Sequence, residues 1–379
     1  MRTKATPRDD AKYMDWALAL ARKGAGTVSP NPMVGAVLVS PASGGIVGEG
    51  AHGRAGGPHA EIVALERAGA EAKGATLYVN LEPCAHEGRT PPCTEALARA
   101  GVSRVVAAMA DPNPAVSGKG FQKLRDAGID VDAGLRGAEA KRLNEVFTKF
   151  ITTGFPFVTL KLGMSLDGRI ADAKGASRWV TSEESRKRVH EMRYASDALL
   201  AGAATVAQDN PLLTVRLDDD RAKPLLRVVL DPGLELPPTL RLWDTLPEGK
   251  ILLAAAEGAS LEARASLERR GVEVLEMGTG EPAGQGKIPL RALLEALGKR
   301  DVTSVLVEGG ARLATALAEE NLVDKIVLFV SPRLLGAKGR PAFADGDAWT
   351  LADAPRFRLE SVERIGADVM LELYPEDAR

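Results

Sequence analysis

The chain has 379 residues, which at usual domain sizes points to two domains rather than one. A formal net charge of −2 argues against a surface built to coat nucleic acid, and two cysteines are too few for a disulfide scaffold. Aromatic residues are only 4%, so the cores must be made mainly of Ala, Val and Leu. The opening residues are charged with no apolar region behind them, and the longest apolar runs are strand-length. A soluble, cytoplasmic protein is expected, and the low cysteine count fits a reducing compartment.

In chain order, residues 10–23 have the pattern of a helix, and 34–39 and 45–48 that of two strands joined by a Gly/Pro/Ser turn. A helix at 60–69, a strand at 75–80 and a helix at 91–100 follow, the last with proline at its start. Strand 104–109, helix 120–127 and strand 129–133 complete an α/β series. Residues 144–156 read as a hinge, placing the domains at 1–147 and 148–379. Beyond it, strands are predicted at 157–162, 198–201, 226–230, 250–255, 272–277, 304–308, 325–330, 357–365 and 369–373. Helices are predicted at 183–193, 260–270, 290–297 and 311–320. This is a second α/β domain.

Chemistry concentrates first in His59-Ala-Glu61, Pro83-Cys84 and Cys93. One imidazole and two thiolates supply three zinc ligands and leave the fourth tetrahedral position for water. Glu61, two residues past the histidine, is placed to move protons. The same residues allow blander readings. The cysteines suit buried small apolar positions, and a closed structural zinc site would need His86 or His52 as a fourth ligand. The order H-x-E then P-C is that of the zinc base deaminases, although eight residues separate these cysteines where that pattern has two.

With its neighbours, this segment resembles a specific family. Leu81-Glu-Pro-Cys84-Ala-His86-Glu-Gly-Arg-Thr-Pro-Pro-Cys93, Pro30-Asn-Pro-Met-Val-Gly35, His52, Asp111-Pro-Asn-Pro114 and Gly118-Lys-Gly120 are similar to the amino-terminal domain of the bifunctional riboflavin-biosynthesis deaminase/reductases. The resemblance implies a cytidine-deaminase-like fold. It also implies hydrolytic removal of the 2-amino group of 2,5-diamino-6-ribosylamino-4(3H)-pyrimidinone 5′-phosphate. Carried over, His59, Cys84 and Cys93 hold zinc, Glu61 shuttles protons, and Asn31, His52 and His86 contact substrate. On charge alone, Arg89 and Lys119 are the nearby cationic candidates for the substrate phosphate, with ordinary surface charge as the other reading of each.

The carboxy-terminal part lacks G-x-G-x-x-G. Its best glycine signal is Val305-Leu-Val-Glu308-Gly-Gly-Ala-Arg312, a strand, two glycines and a helix, which suits close backbone approach or a plain packing turn. Lys161-Leu-Gly-Met-Ser-Leu-Asp-Gly-Arg169, Ser177-Arg-Trp-Val-Thr181, Thr205, Asp209-Asn-Pro-Leu-Leu-Thr214 and Glu308-Gly-Gly310 resemble the reductase domain of the same family. The resemblance implies a dihydrofolate-reductase-like fold and hydride transfer from NADPH to C1′ of the ribosylamino group, giving ribityl. It implies Asp209 beside the reacting sugar. Lys161, Ser165, Asp167, Arg193, Asn210, Leu212, Arg216 and Glu308 become substrate-side candidates. Trp179, Thr181, Thr205, Asp209, Gly309 and Gly310 become cofactor-side candidates.

The implied partners are a phosphorylated pyrimidine, Zn2+ and NADPH, without nucleic acid or membrane, in a homo-oligomer such as a dimer or tetramer. Three other readings remain open on sequence chemistry alone. They are a broader nucleoside or nucleobase deaminase with a binding domain, a nucleic-acid-editing deaminase, and a zinc-stabilised interaction protein.

Overall fold

The computed structural model describes residues 7–85, 92–217, 223–278, 286–344 and 349–376. The chain divides into two compact units, Met1–Gly154 and Phe155–Arg379.

The first unit contains α1 (Pro7–Ala21), β1 (Gly35–Val39), β2 (Ile46–Ala51), α2 (Ala60–Ala68), β3 (Thr76–Val79) and α3 (Cys93–Arg99). It continues with β4 (Arg104–Ala107), α4 (Lys119–Asp126), β5 (Asp130–Ala133), α5 (Gly137–Leu143) and α6 (Glu145–Thr153). Five strands form one sheet in the order β2-β1-β3-β4-β5. β1 runs antiparallel to β2 and β3, whereas β3, β4 and β5 are parallel. All of β1 is buried, and strand alternation divides it between two cores. Ala36 and Leu38 pack with Ala60, Ala64 and Leu97, while Val37 and Val39 pack with Met14, Ala17 and Leu18. A sheet covered on both faces explains why its strands read as continuous apolar runs.

The segment read as a hinge is largely helical. A boundary at 147/148 would cut α6, so the first unit runs on to Gly154, where a positive φ of 75° ends the helix. Val146, Phe147, Phe150 and Ile151 supply the helical spacing that its position between two domains obscured.

The second unit contains β6 (Phe157–Ser165), β7 (Arg169–Ala171), α7 (Glu183–Ala195), β8 (Ala198–Gly202), α8 (Ala203–Asp209), β9 (Leu226–Leu230) and β10 (Ile251–Ala256). Then come α9 (Leu261–Arg269), β11 (Glu273–Met277), α10 (Leu290–Gly298), β12 (Ser304–Val307) and α11 (Ala311–Glu319). The last elements are β13 (Lys325–Ser331), β14 (Arg340–Pro341), β15 (Phe357–Ile365) and β16 (Asp368–Pro375). Its nine-stranded sheet has the order β11-β10-β9-β8-β12-β6-β13-β16-β15. The pairs from β11 to β13 are parallel, and β16 joins both its neighbours antiparallel. Val158, Leu160, Leu200 and Val305 face α10 and α11, and Leu199, Val229 and Leu253 pack in the core on the other face.

Candidate functional site

Two glycines on β2 decide where the first site lies. A Cβ on Gly50 would stand 2.2 Å from the Ala60 carbonyl oxygen, and one on Gly48 2.2 Å from that of Ala64. Glycine alone lets α2 lie this close to β2. The close approach fixes His59, the residue before α2, and Glu61 in its first turn.

Cys84 follows β3, and Cys93 opens α3. Thr94 donates to the Cys84 carbonyl from both N and Oγ1 at 3.2 Å, and Cys93 N donates to Cys84 Sγ at 3.3 Å. These bonds tie the two cysteines to each other. His59 Nδ1 lies 3.1 Å from Cys93 Sγ and 3.5 Å from Cys84 Sγ, and all three donor atoms fall within 4.8 Å of one another. Both thiols are free. A ring nitrogen and two sulfurs converging in this way could hold zinc by three ligands, with one position left over. The Cys93 thiol, helped by His59, brings Cys84 down to about 4 against burial, whereas that contact and burial push Cys93 up. Glu61 is 3% exposed, and burial, then the charge of Cys84, pushes its carboxyl up.

His52 shares this pocket, its ring edge-on to that of His59 at 5.7 Å. Burial lowers its pKa, which favours the neutral ring. Nδ1 lies 3.0 Å from the Pro58 carbonyl, which only accepts, so Nδ1 carries the proton. Nε2 then accepts from Asn31 Nδ2 at 3.1 Å, which sets the orientation of the Asn31 amide.

The second unit gathers a charged cluster around Glu308, the residue after β12. Arg193 on α7 meets it twice, Nε to Oε1 at 2.5 Å and Nη2 to Oε2 at 3.1 Å. Lys161 Nζ on β6 is 3.5 Å away. Arg193 Nη1 also donates to the Thr214 carbonyl at 2.8 Å, and Arg216 Nη1 to Thr214 Oγ1 at 3.0 Å. Burial alone would raise the Glu308 pKa, but Arg193 and Lys161 hold it at about 2. Lys161, Arg193, Arg216 and Arg241 outnumber the carboxylates Glu308 and Glu248, which leaves this corner positive and suited to an anionic group.

Nearby in sequence, Asp209 closes α8. Its Oδ1 accepts from Ser177 Oγ at 3.1 Å, and both residues line a cleft of about 410 Å3 with Lys174, Arg178 and Gln208. Thr205 Oγ1 would be 3.1 Å from a Cβ on Gly310, so Thr205 and Gly310 adjoin. Thr181 lies in the same way beside Gly163 on β6. The Trp179 ring is 58% exposed and carries the Arg186 guanidinium 4.4 Å above it.

Residues 7–109 match the family model of the cytidine and deoxycytidylate deaminase zinc-binding region, and residues 156–371 match the RibD C-terminal domain. The chain belongs to the RibD family. It is therefore an enzyme of riboflavin biosynthesis, with a zinc-binding deaminase domain followed by a reductase domain of the NADPH-using RibD type. The riboflavin biosynthesis protein RibD of Aquifex aeolicus is 43% identical over 362 residues, which is 96% of this chain and 97% of that protein. The structure of Acinetobacter baumannii RibD is 39% identical, with a TM-score of 0.86 over 98% of this chain and 99% of that one. A Thermotoga maritima structure described as a diaminohydroxyphosphoribosylaminopyrimidine deaminase/5-amino-6-(5-phosphoribosylamino)uracil reductase is 37% identical, with a TM-score of 0.84. It covers 97% of this chain and 99% of that one.

Within this RibD chain, the expected positions fall into three groups. His59, Glu61, Cys84, Cys93, Asn31 and His52 come together, as do Lys161, Arg193, Arg216 and Glu308. Others are turned to different partners. Asp167 accepts from Ser165 Oγ and from the N–H groups of Leu335 and Gly336, so its carboxylate holds a loop. Asn210 Oδ1 accepts from Arg241 N at 2.8 Å, and Lys119 is exposed at the start of α4. Leu212 is half-buried beside the fully buried Leu213. His86 and Arg89 lie outside the described residues.

Sequence reasoning passed over Glu82, His190, Asn80 and Asn144. Glu82 Oε1 accepts from the N–H groups of Gly120 and Phe121, and Oε2 from those of Asp111 and Gly118. His190 Nδ1 accepts from Arg216 N at 3.1 Å. The available signal for Glu82 was its place beside Pro83-Cys84; nothing local marked the other three.

Proposed function

We propose that the chain performs two consecutive reactions on one phosphorylated pyrimidine. The first is hydrolytic loss of the 2-amino group of 2,5-diamino-6-ribosylamino-4(3H)-pyrimidinone 5′-phosphate. The second is reduction of the ribosyl group to ribityl, giving 5-amino-6-ribitylamino-uracil 5′-phosphate. The observation that carries the reading is the convergence of His59, Cys84 and Cys93 with buried Glu61 in a chain that also holds the Glu308 cluster.

His59, Cys84 and Cys93 would hold zinc, which when bound supplies the Lewis acidity that makes water a nucleophile at neutral pH. Glu61, buried two residues beyond His59, accepts the proton released by water and returns it to the departing amine, so that ammonia leaves. Asn31, its amide set by His52, binds the edge of the pyrimidine. Lys119 serves the phosphate from the exposed start of α4, His86 is assigned here by family resemblance, and Arg89 is a phosphate candidate on its charge alone.

In the second unit, Lys161, Arg193 and Arg216 bind the substrate side, with Glu308 fixing the two cations it contacts. NADPH, when bound, supplies the hydride, and Trp179, Thr181, Thr205, Gly309 and Gly310 flank its place. Asp209, which lines a cleft with Ser177 and Gln208, would deliver a proton to the ring oxygen as the sugar opens. Ser165 and Asp167 act through the loop they hold, and Asn210 and Leu212 shape the turn after α8.

A homo-oligomer, dimer or tetramer, is part of the same proposal. Leu359 and Val362 on the edge strand β15 and Val369 on β16 are exposed, and the strand register places all three on one sheet face. Free metal-binding thiols fit a reducing cytoplasm. No helix among the described residues is long and apolar enough to cross a membrane.

Glu61→Gln is the test of the deaminase reading. It is expected to retain zinc and lose deamination by about 100-fold or more. Near-wild-type turnover in a zinc-loaded preparation free of native enzyme contradicts the assignment.

A further inference from the structure

The segment 31–34 precedes β1 and so lacks the strand partners that β1 enjoys from Gly35 onward. The main chain of Met33 is satisfied by two asparagines instead. Asn144, between α5 and α6, accepts from Met33 N at 2.8 Å and donates from Nδ2 to Met33 O at 3.0 Å. Asn80, just after β3, donates to the same carbonyl at 2.9 Å and accepts from Gly35 N at 2.8 Å. Asn144 is 2% exposed and Asn80 0%. A side-chain amide that binds both polar groups of one residue reproduces a strand pairing at a single point, and burial makes its loss expensive.

The clamped residue sits between two groups of the deaminase pocket. Asn31 lies two residues before Met33, and the next carbonyl, Val34 O, accepts from His52 N at 2.9 Å. Asn31 and His52 in turn share the 3.1 Å bond that orients the Asn31 amide. We infer that Asn144 is a positioning residue for deamination, fixing Asn31 against the substrate ring through the Met33 main chain. Asn80 supports the same carbonyl from the sheet side, whereas Asn144 reaches it from the last helices of the unit. The inference rests on the reading of Asn31 as a substrate contact.

The test is a cycle in the full-length, zinc-loaded chain, using Asn144→Ala, Asn31→Ala and the double variant, with kcat and KM for deamination, zinc content and reductase activity measured. Asn144→Ala is expected to raise the deaminase KM about 10-fold with kcat, zinc and reduction unchanged. The double variant is expected to be no worse than Asn31→Ala alone, because the two act as one unit. An unchanged KM in Asn144→Ala, or effects that multiply in the double variant, overturns the inference while leaving the Asn31 reading intact. An unchanged KM in Asn31→Ala removes that reading and the inference with it. Asn144→Asp keeps the acceptor for Met33 N but sets an oxygen against Met33 O, and the same rise in KM is expected. Loss of zinc or of folded protein in both Asn144 variants marks a purely structural residue and likewise overturns the proposal.

Discussion

Glu308 gives both carboxylate oxygens to Arg193, at 2.5 and 3.1 Å, and the pair is nearly enclosed, with side chains 11% and 10% exposed. Such a pair stabilises little against an apolar replacement of both members, but removing one member strands a buried charge. Its value lies in geometry. It holds the Arg193 fork where Nη1 also ties down Thr214, and Thr214 carries Arg216.

Glu308→Ala should therefore abolish reduction and destabilise the second unit by about 3 kcal/mol or more. Deamination by the same preparation should persist. The check is denaturant unfolding followed beside both activities; full reductase activity in the variant would separate this cluster from the reaction.

Acid should weaken the second unit in two stages. Burial, then the neighbouring Arg193 and Arg216, depresses His190 from 6.5 to about 4, so the folded state keeps it neutral. Between these values the unfolded chain binds more protons, and stability falls as pH drops through 6.5 toward 4. Glu308, held at about 2 against 4.5, contributes stability that is complete above the higher value and lost as pH falls toward the lower. Screening limits the His190 part to about 1–2 kcal/mol. His190→Gln should flatten the upper stage alone, measured as Tm of the full chain between pH 7.5 and about 4.

Glu82→Gln should damage the first unit. The carboxylate accepts four N–H groups, two on each oxygen, and the amide would turn a donor toward two of them. The expected loss is about 2–4 kcal/mol, read by denaturant unfolding. The loop before Cys84 and the segment 111–121 meet at this residue, so zinc retention should fall as well. Unaltered stability and zinc content would show that another group holds the segment.

The central strands were legible because they are buried on two faces, which leaves short apolar runs such as Val34–Val39 between polar turns. The zinc set was legible because its members lie on short, recognisable motifs. What escaped was long-range. Asn144 is 111 residues from Met33, and Glu82 binds groups 29 to 39 residues away. An asparagine that clamps a distant peptide has no local signature, and Asn144 lay in a stretch read as a hinge. Asp167 is the opposite case. It sits in a conspicuous motif, but its oxygens are taken by Ser165 and the 335–336 backbone.

The most direct test is mass spectrometry of the products formed from the diaminopyrimidine ribosyl phosphate by the full chain, with and without NADPH. Two chemistries in one chain predict exchange of one amino group for oxygen without NADPH, and a further gain of two hydrogens only when NADPH is present. Failure of the amino group to leave from the zinc-loaded chain, or no gain of hydrogen with NADPH, would contradict the account.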